Sequence, residues 1–475
     1  MAQGKWTTAD YNGALRYGFN LPAAGFMALF GENLFVANLW PLICSLIEIG
    51  AVFMFANAAI DRRTAIFASL LLASAPLHIA VATRIHADPV VSMFVTLSFV
   101  ILYFGLTRNS KFLLFSAGLA IGGIFCAKEL AAVTWFAFFP LLWIFREQWR
   151  NVFFVVAGAL LMMLLHGMIM YSIAGDPLHL VKVVTGALQR NFIGALQGED
   201  GAFYYLKYLF IDLRHTGLLG IFALISIVVL ARVRHLSNQS LPIVYVLVWW
   251  LGLLIFLSVL PVSLSPLRFP MKQSNYITLF LAPIALLASI AIAAFPRSIG
   301  RVLLAASIFM GVAFSFLQQA DYRMFTANTK ALAEFASEHP GSVIVGSVNN
   351  SNLGNLWAAE ISPGIKSAKI LSFRDLKIKK DSTHQLLLEA DTIYVALDRQ
   401  TMNWISKSPI DEPLDCWVLE KRIVPTGLGI GNMLAKFLGD TLISLTPIST
   451  ALASLAAPKN ADIYRVEGRN VMCSK

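Results

Sequence analysis

Pro89-Val-Val-Ser-Met-Phe-Val-Thr-Leu-Ser-Phe-Val-Ile-Leu-Tyr-Phe-Gly-Leu106 runs for 18 residues without a charge, with Asp88 just before it and Arg108 just after. A hydrocarbon layer about 30 Å thick takes roughly 20 helical residues to cross, and backbone groups inside it must be satisfied within the segment. The stretch therefore reads as a membrane-spanning helix. Working outward, the same pattern recurs in ten apolar runs: Leu34 to Ala58, Ala65 to Ala82, Pro89 to Leu106, Phe112 to Ala127, Leu130 to Phe145, Val152 to Ala174, Gly217 to Ala231, Leu241 to Leu260, Ile277 to Phe295 and Val302 to Leu317. Composition agrees, since 57% of the 475 residues are hydrophobic and only 13% charged, with a mean hydropathy of +0.68. The sequence predicts a polytopic α-helical membrane protein of about ten spans with a C-terminal soluble α/β domain.

The net charge of +10 is carried by Lys and Arg scattered between the apolar runs rather than in a basic block, which argues against a nucleic-acid partner. Their spacing sets orientation instead. Arg62 and Arg63, Arg108 and Lys111, Arg146 and Arg150, Arg232 and Arg234, and Arg297 and Arg301 mark alternate loops, which the positive-inside rule puts in the cytoplasm. Residues 1–33, the Thr83 to Asp88 turn, Lys128-Glu129, the Gly175 to Thr216 loop, the Val262 to Tyr276 loop and everything beyond about Gln318 then lie outside. An outside start with no cleavable signal predicts a further helix upstream of Met1, lost through a late start or a shortened chain.

Beyond Gln318 the composition changes. Ala331 to His339 reads as a helix start, and Ser342 to Val348, Thr392 to Leu397, Trp417 to Val424 and Ile463 to Val466 read as strands of a small α/β domain. The apolar Gly427 to Ala457 stretch, broken by Lys436, Asp440 and Pro447, fits a helix on the membrane surface as well as a buried helix pair. The expected organisation is residues 1–33 as a loop segment with an amphipathic helix, 34–317 as the membrane domain and 318–475 as the outer domain. Cys416 and Cys473 both fall in this tail and form a candidate disulfide if their strands are adjacent; Cys44 and Cys126 lie in apolar runs. No metal-ligand spacing is present.

Four features on the expected outer side carry candidate chemistry. In Ala82-Thr-Arg84-Ile-His86-Ala-Asp88-Pro89, the Arg84 guanidinium suits a phosphate, and Asp88 suits a hydroxyl or a divalent cation. The same residues suit a helix cap and a headgroup contact, and both readings stand. Lys128-Glu129 places two charges at the edge of hydrocarbon, either as a phosphate and substrate site or as a self-compensating pair that snorkels to water. The long loop holds Asp176, His179, Lys182, Arg190, Tyr204, Tyr205, Lys207 and Tyr208, aromatics and cations that suit a sugar phosphate or an interfacial helix. Arg268 and Lys272, in Pro266-Leu-Arg-Phe-Pro-Met-Lys-Gln-Ser-Asn-Tyr276, could stabilise a departing phosphate.

Four stretches together resemble the GT-C superfamily of membrane glycosyltransferases, in particular its protein mannosyltransferase and aminoarabinose transferase branch. They are Leu15-Arg-Tyr-Gly-Phe-Asn-Leu-Pro22 through Phe30-Gly-Glu-Asn, Ala75-Pro-Leu-His78 through Arg84 and Asp88-Pro, Gly118 to Lys128, and Arg268 through Tyr276 to Pro283. The resemblance implies transfer of a sugar from a polyprenyl-phosphate donor to a lipid, glycan or protein acceptor at the outer face of a bacterial inner membrane. It further implies phosphate-binding roles for Arg84, Lys128 and Arg268; Lys272 joins them, and Glu129, Arg190, Tyr204 and Tyr205 join as candidate cavity residues, on their chemistry and position alone. Asp88 follows from the family pattern as a catalytic residue, and His86 joins it on chemical grounds. No cofactor is implied, although Asp88 leaves room for a divalent cation.

The sequence departs from this family at the acidic motif that supplies the base. That residue would lie upstream of Met1, Asp10 is a poor substitute, and Asn20-Leu21 stand where an acidic and a basic residue precede the Pro22-Ala-Ala-Gly step, so impaired or no catalysis is the expectation for this chain if it lacks that upstream segment. Two rivals follow: a transporter or flippase of lipid-linked sugars, weakened by the lack of paired intramembrane acids and inverted repeats, and a noncatalytic scaffold in surface-polysaccharide assembly, favoured by the missing motif.

Overall fold

The computed structural model describes residues 12–31, 33–145, 150–192, 203–232, 240–260, 263–264, 267–268, 272–361, 368–378, 380–402, 410–426, 429–442, 455–467 and 471. The chain divides into two compact units, Met1–Ser315 and Phe316–Lys475.

The first unit is helical. In chain order its helices are α1 (Tyr17–Phe30), α2 (Leu34–Ala37), α3 (Leu39–Ala59), α4 (Arg62–Ser74), α5 (Pro76–Ala82), α6 (Asp88–Thr107), α7 (Lys111–Ala127) and α8 (Phe139–Ile144), followed by α9 (Val152–Ala174), α10 (His179–Phe192), α11 (Tyr204–Phe210), α12 (Leu219–Arg232), α13 (Ser240–Val259), α14 (Thr278–Ala294) and the start of α15 (Arg297–Glu338). A two-residue hairpin, β1 (Ser263–Leu264) with β2 (Leu267–Arg268), precedes α14.

Among the described residues six helices are long and apolar enough to span a membrane, and α4 with α5 makes a seventh that bends by 62°. The bend has a local cause. Ala75 precedes a proline and is extended, at φ −63° and ψ 127°, so the helix stops and Pro76 restarts it at the first-turn position that needs no N–H donor. Lys111–Ala127 and Leu219–Val228 are shorter apolar helices. The Leu130 to Phe145 run is not a spanning α-helix. Lys128 leaves α7 in an extended conformation, a 3₁₀ segment covers Glu129–Phe138, and only α8 follows, with the indole of Trp135 donating to Ile121 O at 3.0 Å.

Small residues let two helices meet backbone to backbone. A side chain at Gly118 of α7 would collide with Val155 O of α9, and one at Gly158 of α9 with Phe115 O of α7, the close approach that drives helix pairing where lipid tails are as apolar as the side chains. On α9, Leu160, Leu161, Leu164, Leu165 and Met168 stay exposed, as a lipid-facing helix requires. By contrast α14 is buried along nearly its whole length, with Phe280 edge-on to Tyr205 of α11 at 5.3 Å. Phe99 of α6 stacks on Trp249 of α13 at 4.7 Å, and the Tyr245 hydroxyl donates to Phe99 O at 2.6 Å.

The second unit begins inside α15. That helix runs unbroken to Glu338, so the Ala331 to His339 segment is its last turns rather than a helix start. Five strands follow: β3 (Val343–Gly346), β4 (Lys369–Ser372), β5 (Ile393–Asp398), β6 (Trp417–Ile423) and β7 (Ala461–Val466). They lie in the order β4-β3-β5-β7-β6, with β4, β3 and β5 parallel and β7 antiparallel to β5 and β6. β4 is not legible as a strand in the sequence. Helices α16 (Val348–Ile361), α17 (Phe373–Ile378), α18 (Lys380–Glu389) and α19 (Ile430–Leu442) complete the unit. Buried Asp398 at the end of β5 accepts from Asn328 of α15 at 2.8 Å and from Asn350 of α16 at 3.0 Å, tying both helices to the sheet. Cys416 is disulfide-bonded, while Cys473 lies outside the described residues; Cys44 and Cys126 are free and buried.

Candidate functional site at one end of the helix bundle

The ends of α6, α7 and α14 and the segment before α1 converge in the first unit. Asp88, in the first turn of α6, is almost fully buried beside Lys128, which ends α7: Lys128 Nζ lies 2.6 Å from Asp88 Oδ1. Asn275, in the 3₁₀ turn that opens α14, donates from Nδ2 to Asp88 Oδ2 at 2.5 Å. The Lys128 ammonium also sits 4.3 Å from the ring centroid of Tyr276, a cation–π contact. His86, 40% exposed, places Nδ1 2.9 Å from Asp88 Oδ2. The Asp88 backbone N–H also lies 3.4 Å from Nδ1, so this nitrogen faces both an acceptor and a donor, and a neutral ring carrying its proton on Nδ1 would present Nε2 as an acceptor.

Glu129 does not compensate Lys128. It accepts a two-pronged bond from Arg16, with Nε to Oε2 and Nη2 to Oε1 both at 3.0 Å. The two neighbouring charges thus pin two different segments, α6 through Lys128 and the entrance to α1 through Arg16. Pairing each buried charge with a partner from elsewhere in the chain is what makes their removal from water tolerable.

The remaining expected residues are placed as follows. Arg84 is half-buried on the turn that carries His86 and Asp88, and Lys272 is buried three residues before Asn275. Arg268 is in β2 and Arg190 in α10, with side chains outside the described set. Tyr205 does not line a cavity, because it is 1% exposed and packed on Phe280 in the helical core. Tyr204 is half-buried against Tyr205 and Tyr208. The Gly175 to Thr216 segment is not a loop throughout but carries α10 and α11, and exposed Lys182 pairs with Asp176 at 2.6 Å. Asp10 lies outside the described residues.

Three groups escaped the sequence reading. Arg16, Asn275 and Tyr276 fall within the stretches that carry the resemblance but had no assigned role. Glu48, fully buried in α3, accepts from Ser92 at 2.8 Å and Thr96 at 3.0 Å on α6, and its other oxygen lies 3.4 Å from His78 Nε2. Ser92 also reaches Thr278 O at 2.9 Å, and Thr278 bonds back to Asn275 O at 2.8 Å, so polar contacts continue from Asp88 one turn inward. An acid alone in an apolar run is a usable signal, since intramembrane charges require partners. The third is Asp212-Leu-Arg214-His215. Arg214 forks onto Asp212 at 2.8 and 2.7 Å, which outweighs burial and holds that carboxyl below its usual range. Burial pushes the neighbouring His215 imidazole down to about 4.

Among the described residues no group of three or more His, Cys, Asp or Glu is placed to hold a metal ion. Asp88 has both oxygens engaged by Lys128, Asn275 and His86, a donor set that competes with a cation.

Residues 18–171 match the family model described as dolichyl-phosphate-mannose-protein mannosyltransferase. No curated protein sequence matches the chain. Among solved structures, ArnT from Cupriavidus metallidurans in its apo state is 16% identical, with 84% of this chain and 86% of that one covered at a TM-score of 0.53. The same protein bound to undecaprenyl phosphate is 14% identical over the same shares at 0.52. The Archaeoglobus fulgidus oligosaccharyltransferase in complex with Zn and sulfate is 13% identical, with 89% of this chain and 64% of that one covered at 0.50. Residues 18–171 are thus similar to that mannosyltransferase family, and over most of its length the chain shares the fold of ArnT, a helical bundle followed by a C-terminal sheet region.

Proposed function

We propose that this protein transfers a sugar from a polyprenyl-phosphate donor to a lipid, glycan or protein acceptor at the outer face of a bacterial inner membrane. In this reading residues 1–33 are a segment of the first outer loop, 34–317 the membrane domain and 318–475 an extracytoplasmic domain. The observation that carries it is the buried Lys128–Asp88 pair at the mouth of the bundle, with Asn275 on the same carboxylate and His86 beside it. A structural neighbour bound to undecaprenyl phosphate supports the donor class.

Breaking the bond between the anomeric carbon and the donor oxygen leaves negative charge on phosphate. Cations held in place before the reaction stabilise that charge more in the transition state than in the ground state. Lys128, Arg84 and Lys272 are assigned this task, together with Arg268. The acceptor hydroxyl attacks the anomeric carbon and gives its proton to Nε2 of His86, whose ring Asp88 orients through Nδ1. Asn275 keeps Asp88 from turning wholly toward Lys128. The reaction takes no cofactor, and a divalent cation at Asp88 would have to displace Lys128 or Asn275.

A second reading, a noncatalytic scaffold, draws on the engagement of both site carboxylates, Asp88 by Lys128 and Glu129 by Arg16. Transfer of radiolabelled sugar from a panel of polyprenyl-phosphate donors to membrane acceptors distinguishes the two. Product formed by the wild-type chain and lost in Asp88→Ala supports the enzyme. No product with any donor from folded, reconstituted protein favours the scaffold.

A further inference from the structure

Helix α19 has two faces. Its inner face, Gly431 and Ala435, is buried, whereas Ile430, Met433 and Phe437 are 61%, 70% and 64% exposed. Positions 430, 433 and 437 fall on one side of a helix, so three large apolar side chains form a ridge, flanked by exposed Lys436. Singly exposed apolar residues need no explanation, but an aligned ridge does.

What the ridge faces follows from what its inner side touches. A side chain at Gly431 would collide with the backbone of Phe316 and come within 2.7 Å of Ala320 Cβ, both on α15. Likewise Gly429, at φ 74°, lets the chain enter α19 beside the Arg323 guanidinium. Phe316-Leu317 is where the apolar, membrane-spanning part of α15 gives way to Gln318-Gln319. Only a glycine at 431 allows α19 to lie directly against that turn. The helix therefore lies against the turn of α15 where its apolar run ends, and Phe316 in that turn is itself 39% exposed.

We infer that α19 is an interfacial helix whose Ile430, Met433 and Phe437 insert into the lipid surface, with Lys436 reaching the headgroups. Such a helix buries its apolar side to the depth of the headgroup and acyl boundary and places cations among lipid phosphates. The partner is the bilayer that α15 crosses, and the inference does not depend on the reaction catalysed.

The test uses the full chain in lipid nanodiscs of phosphatidylcholine and phosphatidylglycerol. A Met433→Cys variant carrying an environment-sensitive fluorophore is compared with the same label at exposed Glu412→Cys. Nitroxide placed high on the lipid acyl chain is expected to quench the Met433 label several-fold more than the Glu412 label, with the order reversed for aqueous iodide. Equal iodide quenching at both positions overturns the inference. A label shielded from both quenchers and crosslinked to a second copy of this chain also overturns it. Photoactivatable diazirine lipid on the unmodified protein gives a variant-free check: adducts are expected in residues 430–442 as well as on α9, and adducts on α9 alone reject the insertion.

Discussion

Lys128 Nζ and Asp88 Oδ1 stand 2.6 Å apart with side chains only 6% and 3% exposed, joining the end of α7 to the start of α6 across 40 positions of sequence. A buried pair of this kind strands a charge when one partner is removed, a loss of about 3–5 kcal/mol. Asp88→Asn and Lys128→Met are each expected to lower the melting temperature in detergent. The double variant, which leaves no orphan charge, is expected to recover most of it. Sugar transfer should stay about 100-fold or more below wild type in all three, because the proposed mechanism uses both the cation and the carboxylate. Recovery of transfer in the double variant would assign the pair to stability alone.

Arg16 and Glu129 provide a separable test of geometry. Both guanidinium contacts are 3.0 Å, and an ammonium cannot reproduce that fork. Arg16→Ala is expected to destabilise by about 3 kcal/mol, from the unpaired buried Glu129. Arg16→Lys should regain only part of it. Equal melting temperatures for Arg16→Lys and wild type would show that charge alone suffices there.

His86 is exposed enough for its loss to leave the fold intact. His86→Ala is therefore expected to keep the wild-type melting temperature while reducing transfer about 100-fold, within the range typical of general acid–base catalysis. Transfer at the wild-type rate in the variant would move the base elsewhere.

His215 carries a stability prediction with a definite sign. Its folded pKa, at about 4, lies below the ordinary 6.5 because burial disfavours the cation, with Asp212 partly offsetting and Arg214 adding to the effect. The unfolded chain then binds the proton first, so the stabilisation is present above about 6.5 and is lost as pH falls toward about 4, by roughly 3 kcal/mol. Thermal unfolding of wild type and His215→Phe at several pH values isolates this group from the carboxylates. Phenylalanine keeps the ring packed against Tyr208, whose centroid lies 4.8 Å away. Parallel pH dependences in the two proteins would contradict the assignment.

The close approach of α7 and α9 is equally specific. Gly158→Leu is expected to abolish folded protein in the membrane, whereas the same change at Gly25, where an added Cβ meets nothing within 4 Å, should be tolerated. Comparable yields of the two variants would show that the helices can separate without consequence.

Apolar run length, an intrinsic property of consecutive residues, is enough to locate most of the long helices. It fails at Leu130 to Phe145 because composition does not report backbone conformation: the extended Lys128 and the 3₁₀ segment after it arise where two charges are drawn to different partners. Strands with strong β-branched character, such as Ile393–Asp398, are legible from local pattern, whereas Lys369–Ser372 becomes a strand through pairing with Val343–Gly346. The sequence also exposes Arg84, His86, Asp88 and Lys128 as polar groups at helix ends, since charges are rare at such boundaries. What it does not determine is pairing. Whether Lys128 meets Glu129 or Asp88, whether Arg16 matters, and whether Tyr205 lines a cavity or fills the core depend on contacts between residues tens to hundreds of positions apart. Such contacts are set by how the helices pack, and hydropathy along the chain carries no record of them.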